Sequence, residues 1–129
     1  MAKHNEIGKI GERMAKTFLM KQGFNILATN ERIRYGEIDI IAKKSNVLHF
    51  VEVKSVEVKN IHDISNLLVK PEDNLTFQKR TKLKRTIEIY LANNNYAVNK
   101  SKAVIDLACV YINTENKEGR VKFIENIEL

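Results

Sequence analysis

Four charged side chains stand two apart within two short apolar runs. Glu37 and Asp39 lie in Gly-Glu-Ile-Asp-Ile-Ile, and Glu52 and Lys54 lie in Phe-Val-Glu-Val-Lys. Residues two apart on a strand share a face, so each pair points one way. A tight turn centred between Ser45 and Asn46 sets Asp39 opposite Glu52 and Glu37 opposite Lys54. Opposed carboxylates only about 5 Å apart are costly unless something positive sits between them. A proton, Lys54 or a hard divalent cation would serve. Mg²⁺ takes oxygen ligands and commonly binds one or two protein carboxylates together with a substrate phosphate. Beside such an ion Lys54 would orient or activate a water, while the ion offsets charge developing on phosphorus. The ordinary alternative is a cross-strand Glu–Lys pair on a solvated surface. The context strengthens the chemical reading without displacing the ordinary one: Val51 and Val53 flank Glu52, and Ile38 and Ile40 flank Asp39. Strands this apolar are central, and charges there need a reason. Glu37 reads either as a further ligand or as the ion-pair partner of Lys54.

Other elements must hold these strands. Ile7, Ile10, Met14 and Phe18 recur at spacings of three and four, predicting a helix over 6–22. Gly8, Glu12, Ala15 and Leu19 form the neighbouring row, so Glu12 lies beside the apolar face. Gly23 is expected to cap the helix. Phe24, Ile26 and Ala28 alternate with Asn25 and Leu27 as a first strand, and 35–43 with 47–55 form a hairpin. Residues 56–72 have no periodicity and read as a long loop, ending in Lys70-Pro71-Glu72. A helix over 74–94 follows, with Leu83, Ile87, Tyr90 and Leu91 as its stripe. Asp73 or Asn74 is its expected cap and Asn93-Asn94-Asn95 its end. Strands over 103–112 and 120–127 close the chain, joined by a turn at 116–119. The order α-β-β-β-α-β-β predicts an α/β layer fold.

With 129 residues, the chain reads as a single domain over 1–129. Hydrophobic residues make up 43% and charged residues 29%, which excludes both a membrane-embedded chain and a disordered tail. The excess of 22 Lys and Arg over 16 Asp and Glu gives +6, favouring acidic partners such as nucleic acid or an anionic membrane surface without choosing between them. Cys109 is the only cysteine, so there is no intrachain disulfide and no Cys-based zinc site. The segment 1–8 is polar, without a signal-peptide core. The longest apolar stretch, 103–112, is about half a membrane span and contains Asp106. No membrane association and a cytoplasmic location are therefore expected. Neither a Walker-type loop nor a dinucleotide fingerprint is present.

Gly36-Glu-Ile-Asp39 followed by Phe50-Val-Glu-Val-Lys54 resembles the PD-(D/E)xK nuclease superfamily. The chain as a whole resembles the YraN-like family of small bacterial proteins, similar in motif to archaeal Holliday junction resolvases. The likeness runs through Gly8, Gly11-Glu12, Ala15, Gly23-Phe24, Leu27-Ala28-Thr29-Asn30 and Arg32. It continues through both acidic motifs to Lys79, Leu83, Tyr90-Leu91 and Ile105-Asp106. It implies a restriction-endonuclease-like core, a mixed central sheet flanked by helices. It also implies a metal site of Asp39, Glu52 and the Val53 carbonyl, with Lys54 positioning the attacking water. Glu12 would be the helical acidic residue of that site, and Lys79 a phosphate contact. The sequence departs from the family pattern at Val56 and Val104, where arginine is usual.

The run Lys79, Arg80, Lys82, Lys84 and Arg85 would track a phosphate backbone or form a solvated helix face. The same two readings hold for Arg32 and Arg34. Asp106, in an apolar strand, must be paired or hydrogen-bonded, and a structural role precedes a catalytic one. His4, His49 and His62 have no ligand spacing, and Cys109 reads as core beside Ile105 and Leu107. The leading expectation is an Mg²⁺-dependent endonuclease, with Mn²⁺ able to substitute, that hydrolyses phosphodiester bonds in DNA before RNA, branched or junction DNA included. A homodimer is expected, since two cuts need two sites. The alternatives are a nucleic-acid-binding module without activity and a structural protein whose acid–lysine cluster is an internal salt-bridge network.

Overall fold

The spacing of Ile7, Ile10, Met14 and Phe18 becomes helix α1 (His4–Lys21) in the computed structural model, which describes residues 3–34, 36–62, 75–94 and 102–127. The second row is the deeper one. Ala15 and Leu19 are fully buried, whereas Ile10, Met14 and Phe18 are only partly so. Gly23 ends the helix as expected. Its φ of +91° suits glycine, its N–H reaches the Met20 carbonyl, and the Phe24 N–H reaches that of Leu19. That pair of bonds satisfies two carbonyls the helix would otherwise leave open.

Five strands follow in space as they do in sequence: β1 (Asn25–Ile33), β2 (Gly36–Lys44), β3 (Val47–Glu57), β4 (Lys102–Asn113) and β5 (Glu118–Ile124). β3 and β4 run parallel, and every other neighbouring pair is antiparallel. The sheet is thus mixed, and the fold is the expected α/β arrangement. Ser45 and Asn46 both take left-handed φ, 51° and 64°, as a two-residue hairpin turn requires. The turn sets Lys44 opposite Val47 and Ile40 opposite Val51, which is the register read from the sequence.

A parallel β3–β4 pair needs a crossover. Helix α2 (Phe77–Asn93) lies in that connection and packs on the sheet face opposite α1. Leu83, Ile87 and Tyr90 meet Ile38, Ile41, Leu48 and Phe50 there. On the α1 face, Ile7, Ala15 and Leu19 meet Ile40, Ala42, Val51, Ala108 and Val110. A third cluster joins Leu107, Cys109 and Tyr111 to Val58 and Ile61, with Val56 packed against it. Burying side chains of this size is worth about 1.5–3 kcal/mol each. The cap of α2 is Thr76, whose Oγ1 accepts the Lys79 N–H at 3.3 Å. The expected caps Asp73 and Asn74, Tyr35 at the start of the second strand, the loop beyond His62 and the closing Asn95 lie outside the described residues. No helix among the described residues is long and apolar enough to cross a membrane.

Candidate active site

The β2–β3 ladder stops at Ile40–Val51, just before the acidic residues. Asp39 and Glu52 do not continue it. Instead Asp39 Oδ2 accepts the main-chain N–H of Val53 at 2.8 Å. The strict alternation expected for β2 also breaks here. Ile38 and Ile41 both pack toward α2, while Ile40 packs toward α1. The edge strand is irregular nearby as well. Leu27 is an extra residue in the β1–β2 register, and Asn30, beside the break, takes a left-handed φ of 50°.

The expectation that Glu37, Asp39, Glu52 and Lys54 share one face is corrected accordingly. Asp39 lines a cavity of about 440 Å³ on the α1 side, with Glu12, Asn30, Lys9, Arg13 and Lys16. Glu37, Glu52 and Lys54 line a smaller one of about 170 Å³ on the α2 side, with Lys79 and Lys82. The Asp39 and Glu52 carboxyls come within hydrogen-bonding reach of each other where the strands part, so the acid pair joins the two openings. Burial, and then the Glu52 carboxyl, push Asp39 up from its ordinary 3.8 to about 7. The Val53 N–H and the Lys54 charge oppose that rise without cancelling it.

Lys54 Nζ lies 3.7 Å from Glu52 Oε1, with both side chains largely shielded. Glu37 is not the partner of Lys54. It pairs with Arg32 at 3.8 Å, because β1 places Arg32 directly opposite it. That pair is exposed, 87% for Arg32 and 40% for Glu37, so it contributes at most about 1 kcal/mol. Glu12 accepts a hydrogen bond from Asn30 Nδ2 at 3.2 Å. Its carboxyl is raised, chiefly by burial and further by Asp39 and Glu37, which places it at the acid cluster.

Two glycines set these distances. A Cβ on Gly11 would collide with Ser55 Oγ, so α1 crosses β3 closely enough to bring Glu12 to the acids. A Cβ on Gly36 would meet the Oγ1 of the buried Thr86 at 2.8 Å. That contact presses α2 onto the start of β2 and holds Lys79 and Lys82 over the smaller opening. Arg80 turns inward and is half-buried, its Nε without a hydrogen-bond partner among the described residues. Arg34 lines a neighbouring groove. Asp106 lines neither opening. It is fully buried, 2.6 Å from His49 Nδ1, and accepts the Asn126 N–H at 2.9 Å. The sequence names Asn30 only within the family likeness and Lys82 only within the basic run, and assigns neither to the acid site. The left-handed tendency of asparagine is a further signal for the first.

Among the described residues, no three His, Cys, Asp or Glu side chains converge to hold an ion by themselves. The available donors for a hard cation are Asp39, Glu52 and the main chain of Val53. Two crowded carboxyls whose mutual repulsion Lys54 does not cancel suit such a cation.

Comparison with known proteins adds the relationship. The model of the uncharacterised protein family UPF0102 matches residues 11–123. A UPF0102 protein of Campylobacter fetus is 39% identical over 117 residues, covering 91% of this chain and 88% of the relative. One from Campylobacter jejuni is 40% identical over 120 residues, covering 93% and 91%. One from Caldicellulosiruptor bescii is 32% identical over 123 residues, covering 94% and 95%. The matched span takes in Glu12, both acidic motifs and α2, and the chain belongs to the UPF0102 family, the YraN-like family.

Proposed function

We propose that this protein is a metal-dependent endonuclease acting on phosphodiester bonds in DNA, branched and junction forms included. The observation that carries the reading is the half-buried Asp39–Glu52 pair beside Lys54, whose charge does not cancel the rise that burial and Glu52 impose on Asp39. Asp39, Glu52 and the Val53 carbonyl would hold Mg²⁺ or Mn²⁺. When bound, the ion would supply Lewis acidity and lower the pKa of water. Lys54 orients the attacking water by donating to its oxygen. Glu12, its carboxyl raised chiefly by burial, would join the metal site or orient the groups around it, and the proton of the attacking water would pass to solvent. Lys79 and Lys82 bind the phosphates flanking the scissile one. In the reaction an oxygen–phosphorus bond forms from water, one phosphorus–oxygen ester bond breaks, and solvent protonates the leaving alkoxide. A homodimer and a cytoplasmic setting belong to the same proposal.

Cleavage of labelled single-stranded, duplex, flap and four-way-junction DNA tests it, in Mg²⁺, Mn²⁺ or EDTA. Cutting that needs metal and disappears in Asp39→Asn and Lys54→Ala supports the reading. Binding without cutting by any form replaces it with a binding module, which the engagement of Lys54 by Glu52 and the valines at 56 and 104 favour.

A further inference from the structure

Lys82 lines a second groove besides the acidic one. This groove has a volume of about 660 Å³ and is formed by Arg34, Phe77, Gln78, Thr81, Lys82 and Arg85. Its size falls in the range of about 300–1,000 Å³ typical of organic ligand sites. Phe77, Thr81 and Arg85 follow one another at helical spacings of four, and Gln78 and Lys82 form the adjacent row. Thr81 Oγ1 donates to the Phe77 carbonyl at 2.9 Å, tying the first turn of the helix.

Phe77 is 75% exposed, the most exposed large apolar side chain described. The other two, Met20 and Leu27, belong to α1 and β1, so among the described residues Phe77 is not part of a wider exposed apolar patch. An isolated ring among three cations is poorly suited to a protein partner, whose contact centre would be apolar and depleted of charge. Duplex DNA also offers the ring little, because its base faces are hidden in the stack. An unpaired base offers a free face, and its backbone offers phosphates on either side.

We infer that this groove binds single-stranded DNA, with one base stacked on Phe77 and neighbouring phosphates on Arg34, Lys82 and Arg85. The inference rests on the nucleic-acid reading above and narrows it. Because Lys82 also lines the acidic opening, a strand seated on Phe77 leads directly to the acid pair. The preferred substrate is then DNA with an unpaired segment next to the cut.

The chain has no tryptophan, so Phe77→Trp installs a single fluorescent ring at the proposed stack. The test uses the full chain in EDTA, so that binding is read without cleavage. The probes are a fluorescent oligothymidylate of about 16 nucleotides and a blunt duplex of equal length. Phe77→Trp emission is quenched by the single strand and not by the duplex. Phe77→Ala and Phe77→Leu weaken single-strand binding about 5- to 100-fold and leave duplex binding within about twofold. Arg85→Ala lowers the salt slope of binding by about one. Phe77 makes few core contacts, so unchanged thermal melting of these variants checks the fold. Unquenched tryptophan, or Phe77→Ala binding the single strand like wild type, overturns the inference. So does sedimentation showing a dimer that Phe77→Ala dissolves, because a second copy would then cover the ring. Single-strand binding through Phe77 without metal-dependent cutting leaves the inference standing and removes the nuclease. Cutting with Phe77→Ala binding intact does the reverse.

Discussion

Asp39 Oδ2 takes the main-chain N–H of Val53 at 2.8 Å, one step past the point where the β2–β3 ladder stops. A side chain thus stands in for a backbone partner, and its other oxygen stays available beside Glu52. The arrangement lets two central strands part without leaving that N–H unsatisfied. It also buries a carboxyl next to another carboxyl, and this has a measurable consequence.

Asp39 has a folded pKa of about 7 against an ordinary value near 3.8. A carboxyl raised on folding destabilises the fold as pH climbs between those values, and the penalty is complete above about 7. Asp39→Asn, which keeps an oxygen for the Val53 N–H, is therefore neutral near pH 4. It stabilises by about 1–3 kcal/mol near pH 8. Denaturant melts at both pH values check this. Mg²⁺ at the higher pH should raise the wild-type midpoint and leave the variant unmoved.

Gly8 and Gly11 sit one turn apart in α1 and should respond oppositely to alanine. A Cβ on Gly8 meets nothing within 4 Å, so Gly8→Ala gains about 0.5–1 kcal/mol of helix stability. A Cβ on Gly11 collides with Ser55, so Gly11→Ala costs about 1–3 kcal/mol and moves Glu12 away from the acids. Ser55→Gly relieves the collision, and a double-mutant cycle should show the two positions to be coupled.

Asp106→Ala leaves His49 buried without its partner and releases the Asn126 N–H, at a cost of about 3–5 kcal/mol. The Ile127 N–H also holds the Ile105 carbonyl, so hydrogen exchange should rise first around 126–127. The Mg²⁺ response at the acid pair should persist, since Asp106 lines neither opening.

Lys54→Ala is expected to reduce cleavage by at least about 100-fold while DNA affinity stays within a few-fold. Lys79→Ala should do the opposite, weakening DNA binding and lowering the salt slope by about one, with modest loss of turnover at saturation. Titrations at several ionic strengths separate the two roles.

The architecture was legible wherever one face of an element is buried and the other is wet. The rows of α1, the stripe Leu83–Ile87–Tyr90 and the hairpin register all follow from periodicity. β1 reads short because Thr29, Asn30, Glu31 and Arg32 lie on an edge strand, where neither face demands apolar residues. The site was legible as a set of residue types but not as a surface. A strict two-residue period places Asp39 with Glu37 on one side, and no pattern announces the break at Asp39, beside Asn30 of the edge strand. The partner of Glu37 was missed for the same reason: it depends on β1, whose extent the sequence understates.

The turn at Ser45 and Asn46 governs the site from a distance. It lies six residues from Asp39, about 20 Å along an extended strand. Inserting one residue there would rotate every β2 side chain by half a turn relative to β3 and present isoleucines where the carboxyls meet. Inserting two would restore the faces but slide Asp39 away from Val53. The hairpin tip is in this sense the alignment gauge of the acid pair: a solvent-exposed corner with no chemistry of its own, yet one whose length the chain cannot change without dismantling the centre.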